Sequence, residues 1–142
     1  MKTAVTLIMI AAGLAGASKL TTQSAEEAAV RRALDHYLQA HATGDGAHAR
    51  LAFWPTANLY WARGDSMNIR SSEAYASGFS GKPAEDESAR KRRIVSVDVS
   101  GTAAVAKIEL DYPQTKFIDY MSLLKIKGEW RIAAKVFDAQ PK

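Results

Sequence analysis

The sequence contains no cysteine among its 142 residues. A disulfide framework, a thiolate metal site and an N-terminal cysteine that carries a lipid are therefore excluded. No segment reaches the roughly 20 consecutive apolar residues of a membrane span. The net charge of +4 is too small to indicate nucleic-acid binding. We therefore expect one domain stabilised by its hydrophobic core, with no nucleic-acid partner and no membrane span.

Residues that would mark a metal or cofactor site are also scarce. The three histidines are His36, His41 and His48, and the first two would lie about 140° apart on a helix. No carboxylate completes a metal site at a suitable spacing. A glycine-rich phosphate loop and a nucleophile elbow are both missing. We assign the histidines structural roles and predict no metal, no cofactor and no catalytic residue.

The N-terminus has the pattern of a cleavable signal peptide. Lys2 precedes an unbroken apolar segment, residues 4–14, and Ala15-Gly16-Ala17 supplies the small residues of a cleavage site. A buried N-terminal helix is the alternative, but this segment has no polar side. We predict a signal peptide over residues 1–17, cleaved after Ala17, and a periplasmic or secreted protein.

The first half of the mature chain has helical patterning. Ser24 to Glu27 fits a capping box, and apolar residues follow at helical spacing from Val30 to His41. Gly44 should end this helix, and Asp45 should cap a short second one. Two short strands, 59–63 and 67–70, then precede a third helix that is capped by Ser71 or Ser72 and reaches Phe79.

The second half has the two-residue period of strands. The predicted strands are 93–99, 102–112, 115–126 and 129–138, joined by tight turns such as Lys127-Gly128. Helices followed by an antiparallel meander indicate an α+β fold with the helices on one face of the sheet. We place this domain at residues 24–140.

Three segments resemble a known superfamily: RIVSVDVSGTAAVAKIELDYP, FIDYMSLLKIKGEWRIAAKVFD and YLQAHATGD. They are similar to the nuclear transport factor 2-like (NTF2-like) proteins, which include the ketosteroid isomerases and the SnoaL-like proteins. Within them, the chain resembles the bacterial family named putative lumazine-binding. The resemblance implies a cystatin-like cone, in which a curled antiparallel sheet holds the N-terminal helices on its concave face. It also implies a pocket open at one end.

Strand alternation sorts the polar residues of the last two strands. With Leu124 taken as facing the helices, Tyr120 and Ser122 should face the pocket and Asp119 should face outward. Lys135 and Phe137 share one side of the last strand and are predicted in the pocket, although Lys135 could instead extend to solvent. The outer face would then carry apolar side chains, namely Met121, Leu123, Ile132 and Val136. In the resembling fold such a face packs against a second subunit, which predicts a homodimer.

Tyr37 and Trp61 complete the predicted pocket. Tyr37 falls where the resembling steroid isomerases carry an oxyanion-stabilising tyrosine, although a helix-face aromatic that fills the core is the alternative. By the same register, Trp61 stands where those isomerases carry their general-base aspartate. Ser122 lies near the position of their second aspartate, the protonated one on the sheet. Trp61, with Trp54 and Tyr60, could form a stacking wall for a flat ligand or part of the core.

These residues favour a small-molecule-binding protein whose ligand is a flat aromatic or heterocyclic compound. The absence of an acid/base pair disfavours an enzyme of isomerase, dehydratase or hydrolase type built on the same pocket. The third hypothesis is a dimeric interaction module without a ligand.

Export gives the first testable prediction. Expressed from its full sequence in a bacterium with a periplasm, the protein should be recovered outside the cytoplasm with Ser18 as its first residue, because the cleavage pattern ends at Ala17. N-terminal sequencing measures this directly. An intact Met1 in the cytoplasmic fraction would contradict it.

Overall fold

The computed structural model describes the backbone of residues 12–142 and the side chains of residues 20–142. Residues 1–11 of the predicted signal peptide lie outside this range, so export stays a prediction. Among the described residues, no helix combines the length and the hydropathy that crossing a membrane requires.

The described residues form three α-helices, one 3-10 helix and six strands. In chain order they are α1 (Ala12–Thr43), α2 (Gly46–Ala52), β1 (Phe53–Arg63), β2 (Ser66–Ser71), α3 (Ser72–Ala76), a one-turn 3-10 helix (Glu87–Ala89), β3 (Lys91–Ser100), β4 (Ala103–Asp111), β5 (Thr115–Ile126) and β6 (Glu129–Pro141). The predicted strands are all present. The third helix ends at Ala76 rather than reaching Phe79.

The strands form one curled sheet in the order β2-β1-β6-β5-β4-β3. The α+β cone with helices against one sheet face is confirmed. The sheet is mixed rather than wholly antiparallel, however, because β1 runs parallel to β6, with Leu59 opposite Lys135. This pairing brings the β1 end that carries Trp61 beside the β6 segment that carries Lys135 and Phe137.

Helix α1 packs its predicted apolar face on the sheet, where Val30, Leu34 and Tyr37 are fully buried. The predicted capping box is wrong, because the helix begins at Ala12 and residue 24 lies inside it. There the Ser24 hydroxyl donates to the Thr21 carbonyl at 3.0 Å. A serine within a helix can satisfy its hydroxyl in this way without ending the helix.

Glu26 links this helix to the sheet instead. Its carboxylate accepts from Lys125 Nζ at 2.6 Å and from Trp130 Nε1 at 2.8 Å. These bonds lower the pKa of Glu26. Since Lys125 and Trp130 lie on neighbouring strands, one carboxylate sets the position of α1 along both.

The turn after α1 confirms two predictions. Gly44 has φ +69°, and a Cβ there would lie 1.9 Å from the Lys82 carbonyl oxygen. Only glycine fits such a left-handed and crowded position. Asp45 caps α2 by accepting from the Ala47 amide at 2.8 Å. The Gly81 amide donates to the Gly44 carbonyl at 2.7 Å, which holds the loop beside Lys82 against the end of α1.

The predicted facing of β5 is wrong by one residue. Asp119, Met121 and Leu123 are buried under the helices, whereas Tyr120 and Leu124 are about half exposed on the convex face with Ser122. Positions 123 and 124 are both leucine, so the sequence does not show which of the two faces the helices. Because side chains alternate, choosing the wrong leucine reverses the facing of the whole strand.

The predicted facing of β6 is also partly wrong, because this strand contains a bulge. Leu123 pairs with Ile132 but Ser122 pairs with Ala134, so Ala133 is an extra residue. An extra residue resets the alternation. As a result Trp130 and Ile132 share the concave face with Lys135. Of the four residues predicted on the outer face, Met121, Leu123 and Ile132 are buried in the core, and Val136 alone is exposed outside.

Candidate functional site

Three polar side chains meet inside the core, each from a different element. Tyr37 of α1 donates from Oη to Asp119 Oδ2 of β5 at 2.5 Å. Lys135 of β6 donates from Nζ to Tyr37 Oη at 2.7 Å. The relative exposures of Tyr37, Asp119 and Lys135 are 0%, 0% and 4%. We call this group the Tyr37–Asp119–Lys135 triad.

The triad holds a buried ion pair. Lys135 Nζ lies 3.1 Å from Asp119 Oδ1, so the ammonium faces the second oxygen of this carboxylate. Burial raises the pKa of Tyr37 well above its usual range, and Asp119 adds to the effect. Burial also lowers the pKa of Lys135, against the opposing attraction of Asp119. Tyr37 therefore stays a protonated donor, and the ammonium of Lys135 is more acidic than that of an exposed lysine.

A second polar chain lies beside the triad and centres on His41. Its Nε2 lies 2.7 Å from Tyr75 Oη, and its Nδ1 lies 3.1 Å from Tyr112 Oη. Arg92 donates from Nε to Tyr112 Oη at 3.0 Å. Burial, together with the charges of Lys135 and the nearby arginines, holds the pKa of His41 well below its usual range. His41 is thus a neutral imidazole, in which one nitrogen donates and the other accepts.

A cavity of about 430 Å³ opens in front of these groups. Its size falls within the range of small-molecule pockets, about 300–1,000 Å³. The lining residues are His41, Leu59, Trp61, Arg70, Tyr75, Arg90, Leu110, Tyr112, Phe117, Lys135 and Phe137. The walls are therefore largely aromatic and aliphatic, with Lys135 at the surface and the rest of the triad behind it.

The charges at this cavity have one sign. Arg70, Arg90 and Lys135 line it, and no carboxylate does so among the described residues. Arg90 is paired with Asp86 at 2.7 Å. Arg70 forms no ion pair within residues 20–142, and its guanidinium lies 6.0 Å from the centre of the Trp61 ring. The cavity thus presents an apolar enclosure with positive groups, which suits an anion.

Two aromatic rings form one wall. Trp61 and Phe137 have ring centres 5.4 Å apart and planes inclined by 31°. Lys135 Nζ lies 4.5 Å from the centre of the Phe137 ring. A flat ligand ring can stack on such a wall while its polar group approaches the ammonium.

The described residues contain no group of three or more His, Cys, Asp or Glu side chains able to hold a metal ion. The polar groups that line the cavity are one amine, two phenols, one imidazole and two guanidinium groups.

Comparison with known proteins identifies the family. Residues 25–138 match the family described as Putative lumazine-binding. The chain belongs to this family. Its membership and its NTF2-like fold support a small-molecule-binding domain. The residues that match the lumazine-binding family include all three members of the triad.

Solved structures similar to this member of the lumazine-binding family share its fold. An NTF2-like protein of unknown function from Methylobacillus flagellatus is 30% identical, with a TM-score of 0.67, over 79% of this chain and 90% of that one. One from Shewanella baltica is 24% identical, with a TM-score of 0.74, over 84% and 97%. A third comparison is with the aldolase FrzH from a Cladobotryum species, 25% identical over 109 residues, or 75% of this chain and 85% of that protein.

The six predicted pocket residues separate into two groups. Trp61, Lys135 and Phe137 line the cavity, and Tyr37 lies directly behind Lys135. Tyr120 and Ser122 are on the convex face, so their predicted facing is wrong. The outward facing predicted for Asp119 is also wrong, because it is a fully buried partner of Tyr37. A role in ligand binding stays a prediction for the residues at the cavity.

Sequence reasoning missed several groups at this site. Asp119 could have been found from its own strand face, since residues 117, 121 and 123 are all large and apolar while the other face includes a serine. Arg90 belongs to a basic run that the acidic residues before it neutralise, through Arg90–Asp86 and Arg92–Glu87 pairs. Arg70 and Tyr75 carry no local signal, because only the β1–β6 pairing brings their segment to the cavity.

The buried ion pair gives a stability prediction. Lys135→Met and Asp119→Leu should each lower the free energy of unfolding by about 3–5 kcal/mol, because each leaves an uncompensated buried charge. The double variant should lose far less than the sum of the two, since it leaves no charge unpaired. Urea unfolding of the four proteins measures this cycle.

Lys107→Met is the matched control for that cycle. Lys107 is opposite Tyr120 on the convex face, so its loss should change stability by no more than about 0.5 kcal/mol. Losses that simply add in the double variant would show that Lys135 and Asp119 do not stabilise each other.

Proposed function

We propose that the cavity binds a planar aromatic or heterocyclic compound that carries a negative charge. One observation carries this proposal: Arg70, Arg90 and Lys135 line an otherwise largely apolar cavity to which no described carboxylate contributes. Arg90 and Lys135 already have carboxylate partners, Asp86 and Asp119, whereas Arg70 is exposed and forms no ion pair within residues 20–142. The Arg70 guanidinium can therefore pair with an anionic ligand in this cavity.

The walls favour a flat ring over a sugar or a peptide. Trp61 and Phe137 provide a stacking surface. Tyr75 and Tyr112 also line the cavity, and each offers a ligand only one polar group, its hydroxyl. The family description names lumazine, which is a flat heterocycle of a size that such a cavity accommodates. Shape and charge together thus support the same ligand class.

A pair of matched probes tests the charge requirement. 2-Naphthoate should bind more tightly than 2-naphthamide, because only the carboxylate can pair with the arginines and Lys135. Arg70→Gln should weaken naphthoate binding by about 1 kcal/mol, roughly fivefold, since a partly exposed charged contact is worth about that much. Quenching of tryptophan fluorescence and calorimetry both report the affinity.

Arg63→Gln is the control for Arg70, because Arg63 is exposed at the end of β1 and does not line the cavity. It should leave the affinity unchanged. Equal affinities for naphthoate and naphthamide would overturn the proposed anion specificity.

Catalysis on a carbonyl compound is a second candidate function. The buried position of Asp119 favours it, since a carboxylate and a phenol then lie in hydrogen-bond contact next to the cavity. The similarity to a protein described as an aldolase points the same way. An acid/base pair of this kind can move a proton at a substrate held beside Lys135.

Export and self-association complete the proposal. The N-terminal pattern of Lys2, an apolar segment and small residues supports a periplasmic or secreted protein. A homodimer is supported by a row across the convex face, where Ile69, Tyr60, Val136 and Tyr120 occupy successive partner positions on four strands. Three of these side chains are more than half exposed. A second copy can cover this row symmetrically.

The dimer proposal predicts a change of mass. Val136→Asp should convert a dimer to a monomer, because it places a charge at the centre of the exposed row. Light scattering over a concentration series measures the mass, and Thr102→Asp, in the exposed β3–β4 turn, should leave it unchanged. A wild-type protein that is monomeric at high concentration would contradict the proposal.

A further inference from the structure

We propose that Lys135 is a nucleophile that forms an imine with the aldehyde or ketone carbonyl of an anionic aromatic ligand. The inference rests on the proposed function, since it uses the same cavity. It adds a covalent step and names the reacting atom, Lys135 Nζ.

The position of Lys135 carries the first step of the argument. Of the lysines among residues 20–142, Lys135 is the buried one, and it lines the cavity. A carbonyl carbon in this cavity can approach Nζ, whereas the triad prevents the side chain from leaving. Enclosure therefore supplies the proximity that an exposed lysine lacks.

The triad provides a route for the proton that must leave the ammonium. Lys135 Nζ donates to Tyr37 Oη at 2.7 Å, and Tyr37 donates to Asp119 Oδ2 at 2.5 Å. A proton that passes from Nζ to Tyr37, while the phenol proton passes to Asp119, leaves a neutral amine and a neutral carboxylic acid. Tyr37 is unchanged by this transfer.

Two features favour that transfer. Desolvation disfavours the separate charges of both partners, and burial lowers the pKa of Lys135. Asp119 accepts from Tyr37 through Oδ2 and faces the ammonium through Oδ1, so the proton donor, the relay and the acceptor are already in contact. The neutral amine is the form that attacks a carbonyl.

The chemical step then balances without an oxidant or a metal. The amine lone pair forms the N–C bond, the carbonyl π pair moves to oxygen, and a proton moves from nitrogen to that oxygen. Asp119, through Tyr37, then returns its proton to the hydroxyl, which leaves as water while the nitrogen lone pair forms the C=N bond. The products are an iminium ion and the Asp119 carboxylate.

The iminium ion preserves the electrostatics of the resting site. It places one positive charge on the Lys135 nitrogen beside the ionised Asp119, as in the Lys135–Asp119 ion pair. The protein therefore need not compensate any new buried charge. It also makes the carbon next to the former carbonyl more acidic, which is the activation that carbon–carbon bond formation or cleavage requires.

Reductive trapping tests the proposal on the wild-type protein. The probe is 4-formylbenzoate with sodium cyanoborohydride, which reduces an iminium ion to a stable secondary amine. We expect one probe per chain at low probe concentration, attached to Lys135, with labelling roughly tenfold faster than at any exposed lysine, a difference of ~1.4 kcal/mol in activation free energy. Intact mass and peptide sequencing by mass spectrometry identify the site.

Three variants and one competitor sharpen the result. The double variant Asp119→Leu/Lys135→Met, which removes both buried charges, should lose this label, and Lys107→Met should keep it. Tyr37→Phe should slow labelling without moving it to another lysine, because the proton route is broken. An excess of 2-naphthoate should suppress the label by occupying the cavity.

The outcomes separate this proposal from the proposed function. Labelling spread over exposed lysines, with naphthoate still bound tightly, would overturn the imine and leave the anion site intact. Equal labelling of Lys135 by benzaldehyde and 4-formylbenzoate would support the imine while contradicting the anion preference. Failure of both labelling and naphthoate binding would overturn both.

Discussion

The buried contact between Lys135 and Asp119 is the constraint on which the rest of the site depends. A charge removed from water costs several kcal/mol unless a partner of opposite sign lies close to it. Here the partners are on adjacent strands and are separated by 3.1 Å. Tyr37 joins them from the helix above. The sheet register, the bulge and the position of α1 must therefore all be correct at once.

The bulge at Ala133 shows how the chain meets that requirement. Without an extra residue, alternation would place Lys135 on the face opposite Trp130 and Ile132. With the extra residue, the side chains of Trp130 and Ile132 in the first part of β6 pack in the core, and those of Lys135 and Phe137 in the second part line the cavity. Both sets lie on the concave side of the sheet. Glu26 fixes α1 above the same two strands through Lys125 and Trp130. One irregularity in the sheet thus converts a packing strand into a strand that presents an ammonium to a cavity.

The same irregularity explains how much of the molecule could be predicted. Elements with strong local signals followed from the sequence: the apolar face of α1, Gly44 at its end, the Asp45 cap and the bounds of β5. Facing did not, because it depended on a choice between Leu123 and Leu124 and on an extra alanine between Ile132 and Ala134. Alanine has no conformational preference strong enough to indicate a bulge from the sequence. The contributions of Arg70 and Tyr75 required the parallel β1–β6 pairing, which joins segments far apart in sequence.

The polar groups at the inner end of the cavity are hard to explain by packing alone. Apolar residues of similar volume in place of a buried ion pair are often as stabilising or more so, and His41, Tyr75 and Tyr112 likewise occupy positions that aliphatic side chains could fill. Each of these groups has a hydrogen-bonding or ion-pair partner, and Asp119 contacts both the Tyr37 phenol and the Lys135 ammonium. Packing alone gives no reason for this arrangement, whereas a site that moves a proton needs a donor, a relay and an acceptor in contact, as Lys135, Tyr37 and Asp119 are.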